Sequence, residues 1–359
     1  MPPLFWALFR NKFLWIVYLA MPILLGGIIY SIFIDALPRK LPIGVVDFDK
    51  STLSRELIYD MQASPTFSLN RYYTSISEAK RDLSDGHIYA IAVIPDGLQR
   101  GVKLGIEQKI ALYYNTQFIL IGKALDSAFL QVVSILNAKI QTGNNLVKTK
   151  NMSMAMGASL PILPHIDPLF NTQSSYAQFL VTLILPCMWQ ILVALGLLNL
   201  LSYPIRDSVD LWMRFCFNLF IFTFWGMVMV FFFDFLGYPL VGNVPFLFFG
   251  FLLLGLCISG IVLTLQGAYQ NPTKAIGLIA AYTAPSLAFA GVTYPQSAMD
   301  NFAVFWSNIL PISYFMKFYF QQANYGGSIM EGLKILIQMT PFLLFIPLGF
   351  LLYRLKGKI

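Results

Sequence analysis

Residues 246–265 read FLFFGFLLLGLCISGIVLTL, twenty consecutive positions without a charged side chain. An α-helix rises 1.5 Å per residue, so about 20 apolar residues cross the roughly 30 Å of hydrocarbon in a bilayer. A helix also satisfies its own backbone hydrogen bonds where no water is present. This stretch therefore predicts a transmembrane helix, and the rest of the chain is interpreted outward from it.

Further apolar runs of similar length occur on both sides of this stretch. They lie at about 14–34, 177–200, 215–235, 275–292 and 335–352. Hydrophobic residues make up 57% of the chain and charged residues 11%, against about 25% charged in a typical soluble protein. The expected fold is an α-helical polytopic membrane protein with six transmembrane helices.

The basic residues predict the orientation of these helices. Arg and Lys number eight on one side of the predicted spans and two in the short loops of the other: Arg10, Lys12, Arg206, Arg214, Lys274, Arg354, Lys356 and Lys358 against Lys317 and Lys334. Cytoplasmic loops carry the excess of Lys and Arg. We therefore expect a multi-pass protein of the bacterial inner membrane with both termini in the cytoplasm.

The long segment between the first two runs has the pattern of an α/β domain. Strands are predicted at 41–49, 67–73, 87–94 and 109–114, and helices at 77–83 and from a Ser51 cap to about Met61. A long helix at 117–148 has an apolar stripe at three- and four-residue spacing. Residues 151–175 have no clean period and are interpreted as a linker.

Three regions follow from these patterns. Residues 1–36 form an N-terminal interfacial stub and the first transmembrane helix, residues 37–176 an extracytoplasmic α/β domain in the periplasm or outside the cell, and residues 177–359 five further transmembrane helices.

The sequence lacks the motifs that several kinds of chemistry require. No phosphate-binding Gly-x-x-x-x-Gly-Lys-Ser/Thr loop occurs, so the chain is not expected to hydrolyse ATP. His87 and His165 are far apart, and neither a metal site nor a catalytic group is predicted. The spans hold almost no ionisable groups, with Asp234 near the outer end of the third span as the main exception, which disfavours an ion-coupled carrier. The net charge of +7 is assigned to membrane anchoring rather than to nucleic acid.

Residues 292–316 combine helix breakers with polar and aromatic groups. Gly291, Pro295 and Pro311 interrupt helix, while Asn308 and Ser313 place polar groups in an apolar stretch. We interpret this as a re-entrant hairpin at the outer mouth; an ordinary interfacial loop rich in aromatics is the alternative. The candidate gate residues are Tyr282, Tyr294, Pro295, Trp306, Asn308, Pro311 and Tyr314.

Two stretches carry a resemblance to a known family. Residues 281–295 read AYTAPSLAFAGVTYP and residues 305–314 read FWSNILPISY, which resembles the fifth span and outer hairpin of type-2 ABC exporter permeases. Residues 44–55, GVVDFDKSTLSR, are similar to the subgroup with a large extracytoplasmic domain between spans one and two.

This resemblance implies a permease that works with separate subunits. The implied partners are an ABC ATPase on the cytoplasmic face, a second copy or a similar permease, membrane lipid and a periplasmic adaptor protein; ATP and Mg would be bound by the ATPase and no cofactor by this chain. The inner loop would carry the coupling contacts, through Arg206, Asp207, Ser208, Asp210 and Trp212. It lacks the acidic, Gly-Thr-containing signature often found there in the family.

The nearly uncharged spans favour export of an amphipathic, lipid-like or drug-like substrate. A polymer or polysaccharide exporter is an alternative within the same superfamily. Outside transport, a membrane sensor with an extracytoplasmic ligand-binding domain stays open, whereas a membrane-embedded enzyme would need paired carboxylates or a Ser-His arrangement, which the chain does not offer.

Overall fold

The computed structural model describes residues 12–33, 39–159, 169–172 and 175–356. The chain forms two compact units, one comprising Met1–Ala36 with Pro168–Ile359 and the other Leu37–Asp167. The predicted interfacial stub, apart from Lys12, lies outside the described residues.

The helices and strands are numbered along the chain. The helices are α1 (Lys12–Trp15), α2 (Met21–Phe33), α3 (Thr52–Ala63), α4 (Ile76–Ser84), α5 (Leu98–Lys103), α6 (Ile119–Thr149), α7 (Met152–Ser159), α8 (Tyr176–Leu201), α9 (Ser208–Phe235), α10 (Val244–Tyr269), α11 (Pro272–Thr283), α12 (Ser286–Phe289), α13 (Asn301–Ile309), α14 (Pro311–Tyr319), α15 (Ile329–Ile337) and α16 (Phe345–Leu355). The strands are β1 (Leu41–Asp47), β2 (Phe67–Tyr73), β3 (Ala90–Ile94) and β4 (Ala111–Tyr114). Residues Ile16–Ala20 and Phe320–Asn324 are π-helical.

Within the described ranges, five helices are long and apolar enough to cross a membrane. They are Ile16–Phe33, Leu120–Thr149, α8, α9 and α10. The pair Ile329–Ile337 and Thr340–Leu355, bent by 45°, makes a sixth if it is one span. The chain is thus a polytopic helical membrane protein.

Besides the predicted span at 335–352, which lies across this bend, two predicted spans need correction. The third begins at Ser208 rather than near 215, because Asp207 caps the helix earlier than its apolar run begins. The run at 275–292 is not one helix: α11 has 12 residues, about 18 Å, and ends before Pro285. Proline has no N–H to continue the helical ladder, and Gly291 then turns the chain at φ 79°.

The helices of the first unit approach closely where glycine leaves space. A Cβ on Gly196 in α8 would lie 2.6 Å from Asn218 Oδ1 of α9, well inside contact distance. Asn218 Nδ2 donates to Val193 O at 3.1 Å, and Tyr18 Oη donates to Asn218 Oδ1 at 2.7 Å. In lipid, such close packing and interhelical hydrogen bonds hold helices together, since burial from water contributes little.

The π-helical segment before α2 has a local cause. Tyr18 O would accept from the N–H of residue 22 in an α-helix, but residue 22 is proline and has none. The indole Nε1 of Trp225 donates to Tyr18 O instead, at 2.8 Å. A side chain of α9 therefore replaces the missing backbone donor.

The second unit is built on a four-stranded sheet of order β2-β1-β3-β4. β1 is parallel to β2 and β3, while β4 is antiparallel to β3. β2 has the predicted bounds, and Ser51 caps α3 as predicted, since its side chain accepts from Ser54 N at 3.1 Å. β3 and β4 start two or three residues later than expected.

The long helix α6 belongs to this second core although its length and apolarity would also suit a membrane. Its stripe of Leu125, Phe129, Val132 and Leu136 is buried with residues of β1 and α3. The predicted linker contains α7, which is tied to α6 by a hydrogen bond from Asn145 Nδ2 to Ser159 Oγ at 3.0 Å.

Candidate functional site

The candidate coupling loop lies between α8 and α9. α8 ends at Leu201 and α9 starts at Ser208, so Ser208, Asp210 and Trp212 lie on the first turns of a helix and not in a loop. Asp207 is the N-cap, and its Oδ1 accepts from the backbone N–H of Asp210 at 2.7 Å. A carboxylate at this position also interacts favourably with the helix dipole.

Arg214 links α9 to the end of α8 and to the loop between these two helices. Its guanidinium forms a two-pronged ion pair with Asp210, through Nη2–Oδ2 at 2.7 Å and Nε–Oδ1 at 3.1 Å. Its remaining donors reach the carbonyl oxygens of Leu200, Tyr203 and Pro204 at 2.6 to 3.0 Å. The carbonyls at the end of α8 are thereby bonded to a side chain of α9.

These contacts show that the two aspartates of the candidate site bond within their own chain. Asp210 is buried and also accepts from the backbone N–H of Arg206 at 3.1 Å, so it organises its own chain. Arg214 is the important residue that sequence reasoning left out of the site. Its spacing of four from Asp210 was the available signal, since residues four apart face each other on a helix.

A partner protein can reach other side chains here. Val209 is 64% exposed and Trp212 50% exposed, and Arg206 and Ser208 are also exposed. The Trp212 ring stacks on Phe215 with centroids 5.5 Å apart and lies 5.6 Å from Phe350 of α16. Val209 and Trp212 are thus accessible on the first turns of α9.

Two of the basic residues predicted to share a side, Arg214 and Lys356, lie at neighbouring helix ends of the first unit, while Arg10 and Lys358 lie outside the described residues. Lys356 Nζ donates to Ala268 O near the end of α10, and Trp212 contacts Phe350, five residues before the end of α16. The ends of α8, α10 and α16 therefore lie with the Arg214 cluster.

The predicted outer hairpin is a compact structure held by side-chain amides. Gln296 Nε2 donates to Ser307 Oγ at 3.1 Å and to Asn308 Oδ1 at 3.0 Å, and Gln296 Oε1 accepts from Lys317 Nζ. Tyr314 Oη donates to Asn308 O at 3.1 Å. Gln296 and Lys317 were not among the predicted gate residues, and nothing in their spacing indicates that they meet.

The other gate candidates have separate positions. Tyr282 Oη donates to Ile309 O at 2.5 Å and so joins α11 to the end of α13. Trp306 lies parallel to Phe289 at 6.5 Å, and Pro311 is the buried first residue of α14. Tyr294 and Pro295 are exposed on the turn after Gly291.

The second unit has a cluster of three potential ligand side chains within six consecutive residues. Ligand atoms of Asp82, Asp85 and His87 lie within 4.8 Å of one another. Asp82 Oδ2 already accepts from Tyr73 Oη at 2.6 Å and from Arg71, and these hydrogen bonds hold the pKa of the Asp82 carboxyl below its usual value. The cluster is therefore an exposed ion-pair network, with Asp82 neutralised by protein groups.

Comparison with known proteins identifies the family. The model for "ABC-2 family transporter protein" matches residues 12–353, nearly the whole chain. No curated protein matches it. The family's membrane subunits are transport permeases that work with an ABC ATPase. The resemblance to type-2 ABC permeases noted in the sequence is thus confirmed, and the chain belongs to the ABC-2 transporter family as a membrane permease.

Proposed function

We propose that this permease is the membrane subunit of an ATP-driven exporter for an amphipathic, lipid-like or drug-like substrate. The observation that carries the proposal is the family match over residues 12–353. A permease has no ATP site of its own, so ATP and Mg are bound by the ATPase subunit. Family membership also favours transport over the sensor alternative.

The ATPase docks on the helix start that the Arg214 cluster holds. Val209 and Trp212 are exposed there beside Arg206. Apolar and aromatic side chains with an arginine at the edge are the usual anchors of a protein interface. Rigid attachment suits the role, because a movement of the ATPase is then transmitted to α8 and α9 together.

The remaining parts of the proposal follow from charge and composition. The end of the first unit with Arg214 and Lys356 faces the cytoplasm, residues 37–176 face the periplasm or the outside, and the Gln296 hairpin closes the outer mouth. Two permeases pair in the membrane, and a periplasmic adaptor binds the exported domain. An amphipathic substrate suits spans that hold few charges.

The ATPase contact is tested with variants at exposed positions. The tagged full-length chain is purified in mild detergent from its native host, and a co-purifying P-loop ATPase is measured by mass spectrometry and ATP hydrolysis. Val209→Asp with Trp212→Ala should lower the recovered ATPase roughly 10-fold or more, as loss of an interface anchor does. Val209→Asp spares the fold because acidic residues are favourable in a first helical turn.

The matched control is Val241→Asp, at a 70% exposed valine in the loop between α9 and α10. It should leave the ATPase bound. Repeated recovery of intact wild-type protein without any ATPase would refute the exporter proposal and favour a sensor.

A further inference from the structure

The first unit contains an apolar cavity between α2, α8 and α9, with a volume of about 350 Å³. No charged residue lines it. Two tryptophans in its wall have no polar group to offer, because Trp189 Nε1 donates to Phe222 O and Trp225 Nε1 donates to Tyr18 O, both at 2.8 Å. A ligand that consists of hydrocarbon and needs no polar partner suits such a wall.

The cavity extends along α2. It is lined from Pro22 to Tyr30, which is about 12 Å of helix. An extended hydrocarbon chain can lie along this length beside the uncharged wall.

One end of the cavity carries a polar group. Tyr30 lines it there, with its ring edge-on to Phe232 at 5.8 Å. Within the described part of the chain its hydroxyl forms no hydrogen bond that would occupy it. An ester or hydroxyl at the head of an acyl chain can bond to this group while the tail lies toward Pro22.

The helix α2, which forms one wall of the cavity, also carries exposed apolar side chains. Ile23, Leu24 and Ile28 are more than half exposed on this helix. Gly26 and Gly27 form part of the wall, and nothing lies within 4 Å of a Cβ added to either. Two adjacent glycines thus leave the slot open without being needed for helix packing.

From these observations we infer that the cavity binds one acyl chain of a bilayer lipid, its carbonyl end at Tyr30. The inference requires only that the first unit lies in a bilayer. It is therefore independent of whether the permease exports lipid, a drug or anything else.

The test uses purified full-length permease in nanodiscs of phosphatidylethanolamine and phosphatidylglycerol. They contain a small fraction of phosphatidylcholine with a photoactivatable diazirine in the middle of its sn-2 chain. After illumination, labelled peptides are measured by mass spectrometry. Label should concentrate on the wall residues Met188, Leu192 and Met229 relative to Phe220, a lipid-facing residue outside the cavity.

Filling the slot should remove this preference. Gly26→Leu with Gly27→Leu places two side chains into open space and should reduce wall labelling about 10-fold, with Phe220 labelling unchanged. The matched control Gly277→Leu, a helical glycine in α11 with equally open surroundings but outside the wall, should have no effect.

A second measurement needs no variant. A diazirine-bearing sterol has a rigid ring system and no acyl chain, so it should label Phe220 but not Met188 or Met229. Equal labelling of wall and outer face by the acyl probe, wall labelling by the sterol, or a spontaneous disulfide between two copies of a Gly27→Cys variant would each overturn the inference. ATPase recovery reports on the proposed function separately.

Discussion

At the scale of single residues, Arg214 is the side chain on which most local contacts depend. It is 5% exposed and binds both oxygens of Asp210 as well as three backbone carbonyls. Arg214→Met leaves the buried Asp210 charge without its partner, which typically costs about 3–5 kcal/mol. We expect a marked fall in the thermal unfolding temperature of the purified protein in detergent.

Two further variants give this prediction its controls. Arg206→Met removes an exposed cation nearby and should change stability by no more than about 0.5 kcal/mol. Arg214→Lys should rescue little, because a single ammonium cannot reproduce the planar fork that meets both carboxylate oxygens. Equal unfolding temperatures for Arg206→Met and Arg214→Met would show that the ion pair does not hold this region.

At the scale of elements, Pro22 is the reason that the π-helical segment Ile16–Ala20 is hydrogen-bonded to α9. Trp225→Phe removes the donor to Tyr18 O and leaves a carbonyl that proline has already deprived of its helical partner. An unsatisfied buried carbonyl costs about 1–3 kcal/mol. The variant should therefore unfold at lower temperature than the wild type.

Restoring the backbone donor tests this reason directly. In Pro22→Ala with Trp225→Phe, the new N–H of residue 22 can bond to Tyr18 O, so the double variant should recover part of the lost stability. A double-mutant cycle with no coupling between the two positions would contradict the explanation.

At the scale of the whole molecule, eight cationic residues against two predict the proposed membrane orientation. After replacement of Cys187, Cys216 and Cys257, single cysteines are introduced at Ser202, Ser84 and Ser297. In spheroplasts, an impermeant maleimide should label Ser84→Cys and Ser297→Cys at once. Ser202→Cys should react only after permeabilisation, because basic loops stay in the cytoplasm.

The reverse labelling pattern would invert the proposed orientation and place the Arg214 cluster away from any cytoplasmic ATPase. Labelling of Ser84→Cys alone would instead place the Gln296 hairpin away from the outer surface.

The sequence alone was sufficient for features that depend on neighbouring residues. The length of the apolar run at 246–265 predicted α10. The residues at 67–73 predicted β2, and Ser51 as a cap predicted the start of α3. The family also followed from short stretches, since 281–295 and 305–314 carry its pattern and the family model matches nearly the whole chain. Each of these signals depends only on residues that are close together in the sequence.

Tertiary structure decided the features that need a distant partner. The apolar stripe of α6 suits either a bilayer or a sheet, and only the burial of Leu125 and Phe129 with β1 shows which it contacts. Gln296 meets Asn308 and Lys317 only because the hairpin folds back. The apolar cavity forms between α2, α8 and α9, whose order in space no single run of residues encodes. Apolar residues predict that one side of a helix or strand is buried away from water. Only the contacts between folded elements show whether lipid, a sheet or another helix covers that side.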